Sequence, residues 1–307
     1  MASTSAYHAP VLAEVVLGFL RACRRVLDCT VGGGGHSLAL LEAGVDQVVG
    51  IDCDPAAIQE ASNVLGSFAS SGRFRVLRAN YAHVDREPVL DGETFDGILL
   101  DLGVSSHQLD DQARGFSFRP GAPLDMRMGS EGPTAAEWLN YSDVQDLAST
   151  FREYADETRA MKLAHAIARR RATREFTTSD DLVGAIRSVL GPRSGPGDFA
   201  RLFQAVRIRV NDELQGLEHA LPELRDRLRP GGTIVVIAYH SGEDRIAKNA
   251  FREWSAACIC PPKQPVCTCR GHALGTTLTR RAVVAGPGEV AANPRARSAK
   301  LRAWQAA

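Results

Sequence analysis

Four consecutive glycines at residues 32–35 constrain the fold of this chain more than any other stretch. They follow a short apolar run, Arg25-Val26-Leu27, that ends in Asp28. They precede Ser37-Leu38-Ala39-Leu40-Leu41, whose spacing is helical. The order is strand, tight loop, helix. Glycine admits positive φ and lets a ligand approach the backbone closely, and the helix that follows offers unpaired N–H groups to that ligand. A flexible linker is the alternative for a glycine run. Linkers are not normally clamped between a buried strand and an apolar helix.

The flanking acids narrow the ligand. A dinucleotide loop reads G-x-G-x-x-G and seats a pyrophosphate on the helix N-terminus. Here Ser37 stands at the third glycine position, and Asp28 sits inside the motif, where its charge opposes a phosphate. An acid beside the loop suits a cationic ligand with an amino-acid end. The next apolar run, 47–51, ends in Asp52, at the spacing expected for a ribose-hydroxyl contact. Loop, Asp28 and Asp52 together point to S-adenosylmethionine as cofactor, since its sulfonium and ammonium groups are positive and its ribose is free.

With 307 residues, 44% hydrophobic and 23% charged, the composition is that of a soluble globular chain. Thirty-six basic and 36 acidic residues cancel, so any nucleic-acid surface must be local. No stretch reaches the roughly 18–20 apolar residues of a membrane span. The first eight residues lack the basic and apolar regions of a signal peptide, so a cytoplasmic location is expected. Seven cysteines in such a chain point to reduced thiols or a metal site rather than a disulfide framework.

Alternating strands and helices continue to Phe95-Asp96-Gly97-Ile98-Leu99-Leu100-Asp101, an apolar strand ending in a third acid. This predicts an α/β doubly wound parallel sheet with its site along the strand ends. Asp101 falls on that edge. Tyr81, after the strand at 73–78, either stacks on an adenine or packs as a half-buried tyrosine. His8 either touches a ligand or merely caps the chain. Residues 103–135 show no clean period, and a loop this long in a compact domain is more often functional than not. Helices are predicted at 134–140, 142–153, 156–172 and 178–190, with N-cap candidates in Thr177-Thr178-Ser179-Asp180-Asp181. The expected organisation is a first sheet part at 1–105, an all-α insertion for substrate recognition at 106–205, and a second sheet part at 206–307.

Within the insertion, Arg159, Lys162, Arg169, Arg170, Arg171 and Arg174 share one helix, which is either a solvated face or a site for an RNA backbone. A buried strand at 233–240 follows Pro230-Gly231-Gly232 and ends at His240. Its neighbour Asp244 suits either a general-base pair or a structural one. Cys258, Cys260, Cys267 and Cys269 fall in a short span, and their C-x-C spacing leaves structural zinc, paired thiols and free thiols all open. Near the C-terminus, Arg295, Arg297, Lys300 and Arg302 form the densest basic patch, with Arg280-Arg281 nearby; it is a candidate RNA contact or plain surface charge.

These motifs resemble one family. His8-Ala9-Pro10-Val11-Leu12, the run from Asp28 to Ser37, Asp101-Leu102-Gly103-Val104-Ser105-Ser106-His107-Gln108-Leu109-Asp110, Arg114-Gly115-Phe116-Ser117-Phe118, Pro123-Leu124-Asp125-Met126-Arg127-Met128, the stretch 203–211 and the stretch 293–302 are similar to the RsmH (MraW) family. The resemblance covers residues 7–302. It implies a class I, Rossmann-like, S-adenosylmethionine-dependent methyltransferase with an all-α insertion, in the cytoplasm, with a homodimer as one open assembly. The implied substrate is 16S ribosomal RNA, methylated at N4 of cytidine 1402 in the decoding region, naked or within the small subunit. By motif position the cofactor contacts would be Gly34, Gly35, His36, Asp52, Tyr81, Asp101 and Gln108. Asp101 is the catalytic candidate, Arg295, Arg297 and Lys300 are the RNA contacts, and no metal is assigned to the site. Phe116 and Phe118 either stack on an unstacked base or form the loop's own core. The family's usual His-Ser-Leu-Glu-Asp-Arg reads here from His240 with Gly242 in place of leucine, and the residue before it is Tyr239 in place of phenylalanine.

Overall fold

A computed structural model describes residues 10–307 except Pro262, Lys263 and Pro265, with the side chains of Ser106 and His107 also outside the described set. His8 lies outside the described residues. The chain divides into two compact units. One comprises the chain up to Gly103 together with Leu214–Ala307, and the other is Val104–Glu213.

The first unit is built on an eight-stranded sheet: β1 (Arg25–Asp28), β2 (Gln47–Asp52), β3 (Phe74–Arg78), β4 (Phe95–Asp101), β5 (Leu228–Ala238), β6 (Gly275–Thr277), β7 (Val283–Val284) and β8 (Lys300–Ala306). Their order is β3-β2-β1-β4-β5-β8-β6, with β7 beside β8. Strands β1 to β5 are parallel, and β8 runs antiparallel to β5, β6 and β7. Parallel strands are covered on both faces, which is why they read as continuous apolar runs. Alternate residues face opposite ways. Leu27, Val49, Ile98, Leu100, Ile234 and Val236 join one core with Leu217, Leu221, Phe251 and Trp254. Val26, Val48, Leu99, Val235 and Ile237 join the other with Val16, Leu20, Leu40 and Leu65. The result is the doubly wound α/β architecture that the strand pattern predicts.

Local chemistry moves some boundaries. The helix Pro55–Val64 stops short of Gly66, and a separate short helix runs Gly66–Ser70; glycine weakens continuation there. Strand β5 begins at Leu228 rather than 233. Leu228 pairs with Phe95, and a register shift between Phe95 and Gly97 takes up Pro230, Gly231 and Gly232. Gly231 has φ +77°.

The second unit packs the helices Ala135–Tyr141, Val144–Ala155, Ala160–Arg171, Ser179–Leu190 and Pro196–Val210. Trp138, Phe151, Leu163, Phe176, Ile186 and Leu202 lie in its core. Thr134 and Glu137 form a capping box on the first helix, and Thr178 with Asp181 does the same on the fourth. The boundary expected at 205 falls inside Pro196–Val210, whose buried Ala205 and Val206 pack into this core, so that helix belongs to the insertion whole.

Residues 103–135 are ordered by their own polar groups. Arg114 donates to the carbonyls of Arg127 and Met128 at 3.0 and 2.9 Å. Arg127 forks onto Asp125 with two 2.8 Å bonds. Asn211 donates to Met126 O at 2.8 Å and accepts from the Met128 N–H at 2.7 Å. Gly115, at φ +71°, passes so close to Pro123 that a Cβ would sit 2.1 Å from that residue's carbonyl oxygen. Phe116 is buried in the unit's core, and Phe118 lies edge-on to Phe199 and Phe203 at 5.9 and 6.0 Å. Both rings therefore pack the loop onto the helical core, Phe118 against the helix Pro196–Val210.

Candidate active site

Strand β1 is hydrogen-bonded to β2 on one side and β4 on the other, so the chain reverses direction across the sheet between them. Open α/β sheets bind ligands at the carboxyl ends of strands at such a switch point. All three strands end there in an acid, Asp28, Asp52 and Asp101.

The glycine loop leaves β1 at this edge. Gly32 and Gly34 have φ +52° and +85°, a region that costs other residues strain. Gly34 caps the helix Gly35–Glu42, and a Cβ on it would meet Leu65 Cδ1 at 3.0 Å. Gly35 sits against Pro10. The loop's backbone is thus pressed onto the protein on one side.

Asp28 is buried and committed. Its Oδ2 accepts from the Ser37 hydroxyl at 2.7 Å and its Oδ1 from the Thr30 N–H at 3.2 Å. The sequence reading set this charge toward the ligand. Instead it clamps loop to helix, because Ser37, the residue in the third glycine position, faces back onto it. Burial raises its pKa, opposed by Ser37 and His36.

Asp52 accepts the Gly32 N–H through Oδ2 and the Asp54 N–H through Oδ1, each at 2.9 Å. Each oxygen keeps a second lone pair for a ligand hydroxyl. Burial raises its pKa to about 6; the two N–H bonds oppose this, and the charges of Asp54 and Asp28 add to it.

Asp101 is held on three sides. Its N–H donates to Thr30 Oγ1 at 2.7 Å, its Oδ1 accepts from the Tyr239 hydroxyl at 2.8 Å, and its Oδ2 lies 3.4 Å from Nε2 of the buried His36. The carboxylate remains 23% exposed, so it is fixed yet reachable. Burial and then the Asp101 charge push the Tyr239 phenol far above its ordinary range, so Tyr239 stays a donor. Sequence reasoning did not assign Tyr239 or Thr30. Tyr239 follows β5, whose Ile237 pairs with Asp101, a signal that exists only once strand order is known.

Tyr81 starts the short helix Tyr81–Arg86 after β3 and is half-buried against the core. Gln108 belongs to the second unit, where its Oε1 accepts the Ser105 N–H at 2.9 Å.

His240 takes a different partner from the one expected. Its Nε2 is 3.1 Å from Glu243, whose other oxygen accepts the Tyr239 and His240 N–H groups at 2.8 and 3.2 Å. Its Nδ1 accepts the Gly242 N–H at 3.2 Å. It therefore caps the helix Ser241–Trp254 rather than pairing with Asp244. Gly242 is the second residue of that helix, and a Cβ there would crowd the His240 ring at 3.1 Å.

Asp244 pairs instead with Arg302 at 2.6 Å and lies 3.8 Å from Lys300. The basic patch is correspondingly smaller than its sequence: Arg302 is buried in β8, Arg295 and Lys300 are half-buried, and Arg297, Arg280 and Arg281 are exposed. In the second unit much of the arginine helix is also committed. Arg170 pairs with Asp181 at 2.6 Å, Arg171 donates to the carbonyls of Leu139 and Ser142, and Arg159 to that of Val189. Lys162, Arg169 and Arg174 remain exposed.

A glycine-lined helix entry at the switch point of a doubly wound sheet, ringed by strand-tip acids, is the framework of the Rossmann-like S-adenosylmethionine-dependent methyltransferases. The MraW methylase family profile matches residues 5–307. A protein of Gemmatimonas aurantiaca named ribosomal RNA small subunit methyltransferase H is 59% identical over 305 residues, covering 99% of this chain and 96% of the relative. Proteins of the same name from Heliobacterium modesticaldum and Syntrophotalea carbinolica are each 44% identical. They cover 97% and 96% of this chain and 97% and 96% of themselves. The chain belongs to the MraW methylase family, and it is a methyltransferase that uses S-adenosylmethionine. Among the described residues no helix is long and apolar enough to cross a membrane.

Proposed function

We propose that this chain methylates small-subunit ribosomal RNA in the cytoplasm, at the exocyclic N4 amine of cytidine 1402 of 16S RNA. The name shared by its relatives supports the RNA class. The observation that carries the chemistry is Asp101, whose backbone N–H is held by Thr30 and whose carboxylate is held by Tyr239 yet open at the strand tip.

The residues present fit the cofactor. Burial first, and then the charges of Asp54 and Asp28, disfavour the charged form of Asp52, so a cation nearby would stabilise that form. S-adenosylmethionine supplies a methyl group on a positive sulfur, open to in-line displacement. Without side chains, Gly34 and Gly35 let the loop seat against Leu65 and Pro10, Asp52 accepts a ribose hydroxyl, His36 and Asp101 face the cationic end, and Tyr81 packs against the base. Motif resemblance adds Gln108 to this set.

The difficulty lies in the acceptor, whose amine lone pair is delocalised into the cytosine ring. Asp101 accepts a hydrogen bond from the amine N–H, draws the lone pair out of conjugation and takes the proton as the methyl group arrives. The Tyr239 hydroxyl holds the other carboxylate oxygen, so the accepting oxygen keeps one direction. The base must leave its stack to reach this point. Arg295, Arg297 and Lys300 contact RNA phosphates.

Transfer of label from tritiated S-adenosylmethionine to small subunits from a strain lacking the modification tests this reading. We expect one labelled position, lost when cytidine 1402 is changed to uridine. Cofactor binding with no transfer to any RNA would leave an RNA-binding protein with a relict pocket.

A further inference from the structure

Between the helix Ser241–Trp254 and β6 the chain is thinly anchored: Leu274, at its very end, packs against the sheet core. None of the described residues from 255 to 274 is buried, while Ile259 and Val266 are 45% and 68% exposed. A segment that cannot build a core needs another staple. This one holds Cys258, Cys260, Cys267 and Cys269, and all four Sγ atoms lie within 4.8 Å of one another.

The spacing is specific. Cys267 Sγ lies 3.5 Å from Cys269, 3.8 Å from Cys258 and 3.9 Å from Cys260, and Cys258 and Cys269 are 3.8 Å apart. Thiolates bound to one zinc ion at about 2.3 Å stand about 3.8 Å apart at the corners of a tetrahedron. A disulfide would bring two sulfurs to about 2.05 Å. Cys267 is near-equidistant from three sulfurs, which suits a shared centre and not a pair.

The backbone supports the cluster. The Ile259 N–H donates to Cys269 Sγ at 3.4 Å, the Gly271 N–H also reaches Cys269, and the Thr268 and Cys269 N–H groups reach Cys260. Such outer donors orient ligands and spread their charge. Arg270 then ties the segment back to the helix through the carbonyl of Glu253, and to its own start through that of Ala256.

We propose that Cys258, Cys260, Cys267 and Cys269 hold one structural zinc ion that fastens residues 255–274 between the helix and β6. Four thiolates leave no open coordination position, so the ion serves the fold and not the methyl transfer. No residue assigned to methyl transfer belongs to the cluster.

The full chain, purified without chelator, is expected to carry one zinc per molecule by plasma mass spectrometry, released in full by an organomercurial. Reconstitution with Co(II) should give thiolate charge-transfer absorption and the d–d bands of a tetrahedral site. Cys258→Ser and Cys267→Ser should each lose most of the metal, and trypsin should then cut after Arg270, which the zinc form protects. Metal-free wild-type protein with four alkylatable thiols overturns the proposal. So does an intact mass four hydrogens lower, which marks two disulfides. Both readings use the wild type and stand even if the variants fail to fold.

Discussion

Asp52 at the strand tips and Asp181 in the helical insertion are both enclosed aspartates, and their surroundings are opposite. Burial opposes the charge of Asp181, but the Thr178 N–H, Arg170 and the Thr177 N–H overcome it and hold its pKa well below the usual range. Asp52 has two N–H donors and further acids, and burial wins, at about 6. The helical unit settles its charges in folding. The strand tips keep an anionic surplus, a cost in stability that a cationic cofactor offsets.

Removing each type of acid breaks the comparison most sharply. Asp101→Ala should lower methyl transfer by about a hundredfold to ten-thousandfold with little change in melting temperature. Asp181→Ala strips a buried partner from Arg170 and two backbone donors, and should cost about 3–5 kcal/mol in a denaturant titration. Loss of folding in the first variant, or full stability in the second, would erase the distinction.

Gly115→Ala tests whether the segment 103–135 is a fixed part of the insertion. With positive φ and the Pro123 carbonyl in the way, we expect a loss of about 3 kcal/mol or more, again by denaturant titration. A change of a few tenths would mean the segment is loose.

Acid titration sharpens the contrast without mutation. The folded Asp52 keeps its proton up to about 6 against an ordinary value of 3.8. Folded protein therefore binds more protons in that window, and this group's contribution to stability falls as pH rises through it. Asp181 runs the other way: its contribution is present above 3.8 and is lost as pH falls below that value. Hydrogen exchange should show strand amides gaining protection on acidification from 6 toward 4 and helix amides of the insertion losing it below that. S-adenosylmethionine affinity, by calorimetry, should rise about tenfold as pH increases through 6.

The smallest effect concerns RNA. Arg295→Ala with Arg297→Ala should weaken subunit binding several-fold and reduce the magnitude of the salt-dependence slope by about two. Arg302→Ala should leave that slope unchanged, since Arg302 is spent on Asp244.

Where an element's type depends on near neighbours, the chain is legible. Continuous apolar runs made β1, β2 and β4 predictable, and the acids that end them follow directly. Thr178 and Asp181 form the expected cap because a cap is read within four residues. The arginines of Ala160–Arg171 were ambiguous for the converse reason: a cation looks the same in sequence whether solvent or a distant carbonyl meets it.

By itself, then, the sequence determined the doubly wound sheet, the glycine loop and the edge on which three acids would stand, since hydrophobic period and backbone freedom are local properties. Tertiary structure alone decided which acids stay available. Asp28 is consumed by Ser37 and Asp244 by Arg302, while Tyr239 reaches Asp101 only because β5 lies beside β4. Those pairings span up to 138 residues, and a hydrogen bond depends on distance in space, which no local pattern encodes.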